Sequence, residues 1–295
     1  DSTCPFCPGN EHLLPEIIEE VASDAPPGWT LRVVPNKFPA VSPAAESTTT
    51  ERAGPVRPGY GIHEVVVETS RHDGDLTALS ESDLRAVVQS YRRRYNALSE
   101  SPDVGATLLF RNHGRKAGAS LVHPHSQIIA VAVMPPRLTA ISDWMRAQYG
   151  RRGDCVTCKM VETELAEGAR VVAQTEGFVV LVPFAAASPL EMWLLPRRHQ
   201  ASFGRMGDAE LREFAVLLQG TLRRLRAVLD DPPYNFVVES WEGVDEGVAH
   251  WRLRIVPDLT TPGGFELGSG LAINPSRPEE DAEILRAESK EGGGR

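Results

Sequence analysis

The sequence of 295 residues predicts an α+β protein made of two related domains, residues 1–134 and 153–295, each an antiparallel sheet that carries one main helix. The basis is an internal repeat: from about residue 64, the same order of elements recurs 127 residues further along the chain. Each copy has a strand-like run, a histidine, an amphipathic segment, another strand and a second histidine. In both copies 51 residues separate the two histidines, which chance explains poorly.

Each copy contains one strong helical pattern. Apolar residues recur at helical spacing from Leu84 in the first copy and from Leu211 in the second. Ser80 or Ser82, and Asp208, are residue types that favour the N-cap of such helices. The predicted strands are 63–68, 107–112 and 128–131 in the first copy, and 190–195, 234–239 and 255–256 in the second.

Two segments lie outside this pattern. Residues 134–152 contain a proline pair, Pro135 and Pro136, and are predicted to be the linker between the domains. Residues 43–60 are rich in Pro, Ser, Thr and Gly, which predicts a mobile surface loop.

The composition argues against several classes of partner. The formal net charge of -9 disfavours sequence-independent binding to nucleic acid, which requires clustered Lys and Arg. No apolar run approaches the roughly 18 to 20 residues that cross a bilayer, and the first residues lack a signal-peptide pattern. We therefore expect a cytoplasmic protein that binds neither nucleic acid nor membrane.

The four cysteines form two pairs with identical spacing, at residues 4–7 and 155–158. In a reducing compartment, a Cys-x-x-Cys pair is usually a metal-binding turn or a redox couple. A redox couple normally sits at the start of a helix. The prolines and the glycine around the first pair fit a tight loop better, so metal binding is favoured.

Each copy also supplies two histidines, which together with the cysteines complete a tetrahedral ligand set for zinc. The predicted ligands are Cys4, Cys7, His72 and His123 in the first site, and Cys155, Cys158, His199 and His250 in the second. Because four protein ligands leave no open position for water or substrate, both zinc ions are expected to be structural.

The two copies differ just after the second histidine. The first reads Ser120-Leu-Val-His-Pro-His-Ser-Gln127, whereas the second reads His250-Trp-Arg-Leu-Arg254. Only the first copy keeps a further histidine, His125, and strand alternation at His-x-His lets both rings point to one face. A neutral imidazole is nucleophilic near pH 7 and leaves readily, so we predict that His125 attacks phosphorus, with acid–base catalysis as the alternative.

Polar groups near His125 are candidates for binding phosphate. The Gln127 amide and the Ser126 hydroxyl are expected to donate hydrogen bonds to non-bridging oxygens. Upstream, Ser120 and the backbone of Gly118 and Ala119 are predicted to form an anion-binding turn. Such a turn alone is weak evidence for a phosphate site, but its position close to His123 strengthens this interpretation.

The segment His123-Pro-His-Ser-Gln127 resembles the active-site signature of the galactose-1-phosphate uridylyltransferase family, a branch of the histidine triad superfamily. Further matching segments are residues 4–7, 31–40, 110–114, 263–270 and 273–275. The resemblance implies two tandem histidine-triad-like domains. It also implies a nucleotidyltransferase that moves a nucleoside monophosphate between a nucleotide sugar and a sugar 1-phosphate or phosphate, through a covalent nucleotidyl-histidine.

By this resemblance, His125 accepts the nucleotidyl group and Gln127 holds its phosphate. In hydrolytic relatives the position of Gln127 is typically a third histidine, so the glutamine favours transfer to a second phosphate over transfer to water. The other residues that the resemblance assigns to substrate binding are Arg32, Asn36, Phe38, Asn112, Ser120, Phe265 and Glu266.

The nucleobase and the sugar stay open. Uridylyltransferases of the family often carry Asn-Asp where this chain has Asn36-Lys37, and a lysine where it has His113. The serine of His-Pro-His-Ser-Gln and the second Cys2His2 set resemble the plant-type ADP-glucose phosphorylase instead. A histidine-triad nucleotide hydrolase and a non-catalytic zinc-dependent binding module are the remaining alternatives. Because relatives are commonly dimers, a homodimer is a further expectation.

Overall fold

The computed structural model describes residues 1–43, 50–51, 55–56, 59–243 and 246–287. Its strands are β1 (Glu19–Ala22), β2 (Trp29–Pro35), β3 (Thr50–Glu51), β4 (Pro55–Val56), β5 (Gly61–Val67), β6 (Ala106–His113), β7 (His125–Val131), β8 (Val171–Gln174), β9 (Phe178–Leu181), β10 (Met192–Pro196), β11 (Tyr234–Glu239) and β12 (Arg252–Pro257). Its helices are α1 (Glu81–Ser99), α2 (Pro136–Arg152), α3 (Val156–Glu167), α4 (Asp208–Leu229), α5 (Gly264–Ser269) and α6 (Pro278–Ala287). Most of the loop predicted at residues 43–60 lies outside the described residues.

Ten strands form one antiparallel sheet in the order β1-β2-β5-β7-β6-β11-β12-β10-β9-β8. From the edge to the centre of the sheet, the strand order is β1-β2-β5-β7-β6 in the first half and β8-β9-β10-β12-β11 in the second. The two orders correspond strand by strand, so the sequence repeat is also a repeat in the topology. The halves meet where β6 pairs with β11, with Asn112 opposite Asn235. The α+β class is confirmed, but the halves share one sheet instead of forming two. Pairing β6 with β11 satisfies backbone groups that two separate sheets would leave at their edges.

Helices α1 and α4 cover one face of this sheet. Leu84 and Tyr91 of α1, and Leu211 and Phe214 of α4, are buried with apolar residues from both halves of the sheet in one core. Ser80 caps α1 by accepting a hydrogen bond from the Asp83 amide at 3.1 Å. The predicted cap of α4 is displaced by one residue, since Asp208 is the first helical residue and Gly207 is the N-cap.

The segment predicted as a linker is largely helix α2. Pro135 is its N-cap and Pro136 its first residue, where the fixed φ of proline suits a helix and no N–H is missed. Leu138 and Met145 are buried against Trp241 of the second half. The connection between the halves is therefore a packed element, and the domain boundaries stay a prediction.

No helix in the part of the chain that the structure describes is both long and apolar enough to cross a membrane.

Candidate active site and metal centres

The face of the sheet opposite α1 and α4 carries the sequence-predicted site. On β7, His125 lies beside Val67 of β5, and Gln127 lies beside Val65. Because side chains at paired positions of neighbouring strands share a face, His125 and Gln127 project to the same side as these valines. The N-terminal segment covers this side, with Cys4, Phe6 and Cys7 packed on Val65 and Val67.

The first Cys-x-x-Cys pair meets its two predicted histidines. The Cys7 Sγ atom lies 3.3 Å from His72 Nδ1 and 3.6 Å from His123 Nδ1, and Cys4 Sγ lies 3.7 Å from His123 Nδ1. A tetrahedral zinc site has sulfur-to-nitrogen edges of about 3.5 Å, given the usual zinc–ligand bond lengths. The four side chains are therefore spaced to hold one metal ion.

The second pair does the same with the other two histidines. Cys158 Sγ lies 3.2 Å from His199 Nδ1 and 3.4 Å from His250 Nδ1, and Cys155 completes the cluster. This pair sits at the start of α3, with Cys155 as the N-cap. A helix start is typical of redox couples, but the two convergent imidazoles give this cluster the ligand set and spacing of a metal site as well.

Backbone carbonyls orient the ligand imidazoles. His123 Nε2 donates to Thr69 O at 2.8 Å, and His250 Nε2 donates to Pro196 O at 2.9 Å. Each bond places the proton on Nε2 and leaves Nδ1, the atom facing the cysteines, free to bind metal. Burial lowers the pKa of His123 to about 4, so this ring is neutral as a ligand must be.

His125 has the opposite tautomer. Its Nδ1 donates to the His123 carbonyl at 2.9 Å, and in a neutral ring this leaves the lone pair on Nε2. The side chain is only 6% exposed, and the Phe6 ring packs against it at a centroid distance of 5.5 Å. Sequence reasoning missed Phe6; its place between two predicted metal ligands was the available signal.

Two cavities meet at His125, and Ser120 and Leu121 line both of them. The polar cavity has a volume of 330 Å³, and its polar lining residues include Asn112, His113, Arg115, Lys116 and Asp231. The apolar cavity has a volume of 120 Å³, and its apolar lining residues include Leu13, Leu14, Val34, Phe38 and Val65. His125 is therefore shared by a polar and an apolar cavity.

Gln127 and Asn36 also line the apolar cavity. The Gln127 Oε1 atom lies 3.4 Å from Asn36 Nδ2 and 2.8 Å from His63 Nε2. Phe38 is 83% exposed at the rim, and its backbone N–H donates to Asn36 Oδ1 at 2.9 Å. The structure thus joins Asn36, Phe38 and Gln127 around the predicted nucleophile. Sequence reasoning gave His63 no role, because a lone histidine on a strand has no motif.

Asn112 lines the polar cavity and is held by the second half. Its Oδ1 accepts from Asn235 Nδ2 at 2.8 Å, and its Nδ2 faces Gly118 O at 3.4 Å. Gly118 has a φ of +90°, a backbone conformation that favours glycine. Sequence reasoning missed Asn235, whose contact depends on the pairing of β6 with β11.

The predicted anion-binding turn needs a correction. The Gly118 amide donates to Arg115 O at 3.1 Å, and the Ala119 amide donates to Gly114 O at 3.2 Å. Both donors are used inside the loop and do not form an anion cradle. Ser120 is still a candidate for binding phosphate, because it is exposed and lines both cavities.

Ser126 also departs from its expected contact. Ser126 follows His125 on the strand, so its side chain points to the opposite, helix-covered face of the sheet. There its hydroxyl donates to Glu68 Oε1 at 2.5 Å and lies 2.7 Å from the Tyr91 hydroxyl. It is fully buried and lines neither cavity. A direct hydrogen bond from Ser126 to a bound phosphate does not fit this geometry.

Three other predicted residues lie apart from His125. Arg32 is buried between Glu11 and Glu20, at 2.8 and 2.7 Å, and lines neither cavity. Phe265 and Glu266 lie on the short helix α5; Phe265 is 55% exposed. Neither of them lines either cavity of the same chain.

The equivalent place in the second half is filled by an ion-pair cluster. Arg252, which corresponds to His125, stacks on Trp193 at 3.9 Å and donates to Glu239 Oε2 at 2.7 Å. Arg254, which corresponds to Gln127, contacts Glu239 and Glu191. With arginines in both positions, this half has no counterpart of the predicted nucleophile at the position of His125.

Comparisons with known proteins agree with the sequence signature. Residues 1–135 match the family described as galactose-1-phosphate uridyl transferase, N-terminal domain. The chain is 33% identical over 293 residues to an ADP-glucose phosphorylase of Arabidopsis thaliana, covering 97% of this chain and 82% of the relative. It is 30% identical over 295 residues to a galactose-1-phosphate uridylyltransferase of Thermotoga maritima, covering 96% and 88%.

Solved structures give the same picture. An ADP-glucose phosphorylase from Arabidopsis thaliana with bound ADP-glucose aligns with a TM-score of 0.86 at 31% identity, covering 97% of this chain and 91% of the other. A uridylyltransferase mutant aligns with a TM-score of 0.86 at 30% identity, covering 99% and 95%.

Proposed function

The chain belongs to the galactose-1-phosphate uridylyltransferase family, and from this premise we propose that it is a nucleotidyltransferase working through a covalent adduct on His125. It moves a nucleoside monophosphate between a nucleotide sugar and a sugar 1-phosphate or inorganic phosphate. The observation that carries the proposal is the hydrogen bond from His125 Nδ1 to the His123 carbonyl, which directs the ring's other nitrogen, Nε2, to act as the nucleophile in a residue that lines both the polar and the apolar cavity.

The reaction proceeds in two displacements at one phosphorus atom. His125 Nε2 attacks the α-phosphorus of the nucleotide sugar, a phosphorus–nitrogen bond forms, and the bond to the sugar 1-phosphate oxygen breaks. An acceptor phosphate oxygen then attacks the same phosphorus and returns the electron pair to Nε2. Because a phosphate monoester is a good leaving group, positioning and charge stabilisation carry most of the rate.

Both Cys2His2 clusters fit structural zinc by their donor set and spacing. Zinc bound there adds a crosslink and leaves no coordination position for substrate. The contribution of the first cluster to the reaction is to position residues of the chain. The first cluster fixes the loop that carries Phe6, and it fixes His123, whose carbonyl accepts the Nδ1 proton of His125.

Uridine and adenosine are the two candidate nucleosides. The family name favours uridine, and family uridylyltransferases often have an aspartate after the asparagine at position 36. Here that position is Lys37, which lines the apolar cavity. This substitution and the 33% identity to an ADP-glucose phosphorylase favour adenosine as the second candidate.

Labelled substrates separate these possibilities. We expect UDP-glucose or ADP-glucose carrying ³²P at the α-position to label the protein, with the label stable in alkali and absent from His125→Ala. His12→Ala is the matched control, because His12 is exposed and lines neither cavity. Release of free nucleoside monophosphate without an acceptor indicates a hydrolase. Absence of both label and exchange indicates a binding module.

We also propose a homodimer in which α5 reaches the site of a second copy. Phe265, Leu267 and Leu271 are 55%, 78% and 61% exposed, an unusual density of apolar surface on one short segment. Mixing His125→Ala with Phe265→Ala tests this. Activity regained by the mixture supports complementation between subunits, and a monomer by light scattering contradicts it.

A further inference from the structure

His63 is buried in the middle of the predicted site without a role in the two displacements. It lies on β5, is 8% exposed, and contacts two residues assigned to substrate binding. Its Nε2 lies 2.8 Å from Gln127 Oε1 and 3.0 Å from Asn36 Nδ2. Its Nδ1 lies 3.1 Å from the backbone nitrogen of Ala40.

The Ala40 contact determines the tautomer of His63. A backbone N–H can only donate, so Nδ1 must accept and cannot carry a proton. Burial lowers the pKa of His63, which keeps the ring neutral near neutral pH. A neutral imidazole carries its single proton on the other nitrogen, and so His63 Nε2 donates to Gln127 Oε1.

A second donor converges on the same oxygen. The Phe38 backbone N–H donates to Asn36 Oδ1 at 2.9 Å, which turns the Asn36 amide so that its Nδ2 faces Gln127. Because His63 Nε2 is already protonated, Gln127 Oε1 is the acceptor left for Asn36 Nδ2 at 3.4 Å. Two donors fixed by backbone amides thus meet at one side-chain oxygen.

These contacts leave only one favourable orientation for Gln127. Rotating its amide by 180° brings Nε2 against two other donors with no acceptor between them, which forfeits both hydrogen bonds. In the observed orientation, Nε2 is on the side away from His63. Among the described residues no hydrogen bond uses this NH2 group, which is available to a ligand beside His125.

We propose that His63 is a positioning residue that holds the Gln127 amide with its NH2 group toward the phosphate transferred to His125. The proposal rests on the nucleotidyl-transfer function proposed above. His63 does not touch the reacting atoms. The Ala40 backbone N–H fixes which nitrogen of the His63 ring carries the proton, and that proton in turn orients the Gln127 amide that contacts phosphate.

The tautomer can be measured without any activity. In long-range ¹H–¹⁵N spectra of histidine-labelled protein near pH 7.5, we expect His63 as the Nε2–H form and His125 as the Nδ1–H form. His63→Gln and His125→Ala assign the two signals. Finding His63 as the Nδ1–H form, or as a charged ring, overturns the proposal.

Kinetics then test whether His63 acts through Gln127. Gln127→Ala is expected to slow nucleotidyl transfer by roughly 100-fold, as for loss of a donor to developing charge, and His63→Leu by about 10-fold. His63→Gln retains a donor near the Nε2 position and should recover most of the loss. In the Gln127→Ala background, His63→Leu should have no further effect.

Additive losses in the double variant overturn the proposal, because they show that His63 acts independently of Gln127. An equal loss in His63→Leu and His63→Gln, accompanied by a lower melting temperature, also overturns it in favour of a packing role. If the wild-type protein transfers no nucleotide, the proposed function fails and this proposal falls with it. Intact transfer with additive losses removes this proposal alone.

Discussion

Replacing Ser126 by alanine distinguishes a phosphate-binding role from a structural one. The sequence motif places Ser126 between His125 and Gln127, where a hydroxyl is expected to meet phosphate. In the structure its hydroxyl lies on the opposite face, bonded to Glu68 at 2.5 Å and to Tyr91 at 2.7 Å. We therefore expect Ser126→Ala to reduce stability and to leave the rate of nucleotidyl transfer within about threefold of wild type.

The size of the loss follows from these contacts. A hydrogen bond to a charged group contributes about 1.5–3 kcal/mol, and deleting a fully buried hydroxyl removes a partner of both the Glu68 carboxylate and the Tyr91 hydroxyl. A loss of about 2 kcal/mol is expected. At about 2.1 cal/mol/K of unfolding entropy per residue, this lowers the melting temperature of a 295-residue chain by about 3 °C.

The assay pairs thermal unfolding with single-turnover transfer of label onto His125. Ser120→Ala is the matched control, since Ser120 is exposed and lines both cavities. It is expected to slow transfer without a change in melting temperature. A Ser126→Ala variant that unfolds like wild type but transfers 100-fold more slowly would refute this reasoning and restore the sequence-based role.

Three further predictions follow from other contacts. Cys7→Ser is expected to abolish label transfer in the metal-loaded protein, whereas Cys158→Ser lowers the melting temperature and leaves transfer measurable; the reverse pattern contradicts the link between the first cluster and His125. Burial acts to raise the pKa of Glu239, but the three arginines it contacts lower this pKa overall. Its ion pairs therefore stabilise the fold fully above the unfolded pKa of about 4.3. This contribution is lost as the pH falls through the lower pKa of the folded state. Glu239→Gln should therefore cost about 3 kcal/mol in urea unfolding at pH 7, with a smaller difference in acid. Arg115→Ala together with Lys116→Ala should raise the KM for the acceptor phosphate about tenfold at low salt, because two exposed charge contacts contribute up to about 1 kcal/mol each; an unchanged KM would place the acceptor elsewhere.

The parts of this fold that depend on local periodicity could be predicted from the sequence. The strand at Tyr234–Glu239 has the predicted bounds, and α1 begins after a predicted cap, Ser80. The two Cys2His2 groups were also readable, because a repeated interval between histidines is visible without any structure. Strand alternation alone predicts that Ser126 points away from His125, as the structure has it, whereas the motif predicts a phosphate contact.

Other features depend on contacts between distant segments. Nothing in the repeat shows that β6 pairs with β11, and the alternative of two separate sheets satisfies the same periodicity. The proposed role of His63 depends on the backbone amide of Ala40 and on the side chain of Gln127, which is 64 residues further along the chain. A single sequence has no signal for such a contact, because a lone histidine on a strand is most often a packed one.

The second half has Arg252 where the first has His125, but its residues still shape the candidate active site. Its Asn235 fixes the Asn112 amide, and its Tyr234 ring stacks against His113 at a centroid distance of 4.9 Å. Its Asp231 forms part of the wall of the polar cavity. Because these contacts depend on the β6–β11 pairing, the continuous sheet makes the polar cavity a product of both copies. The proposed reaction uses a single imidazole for both displacements, so it does not require a second histidine at the position of Arg252.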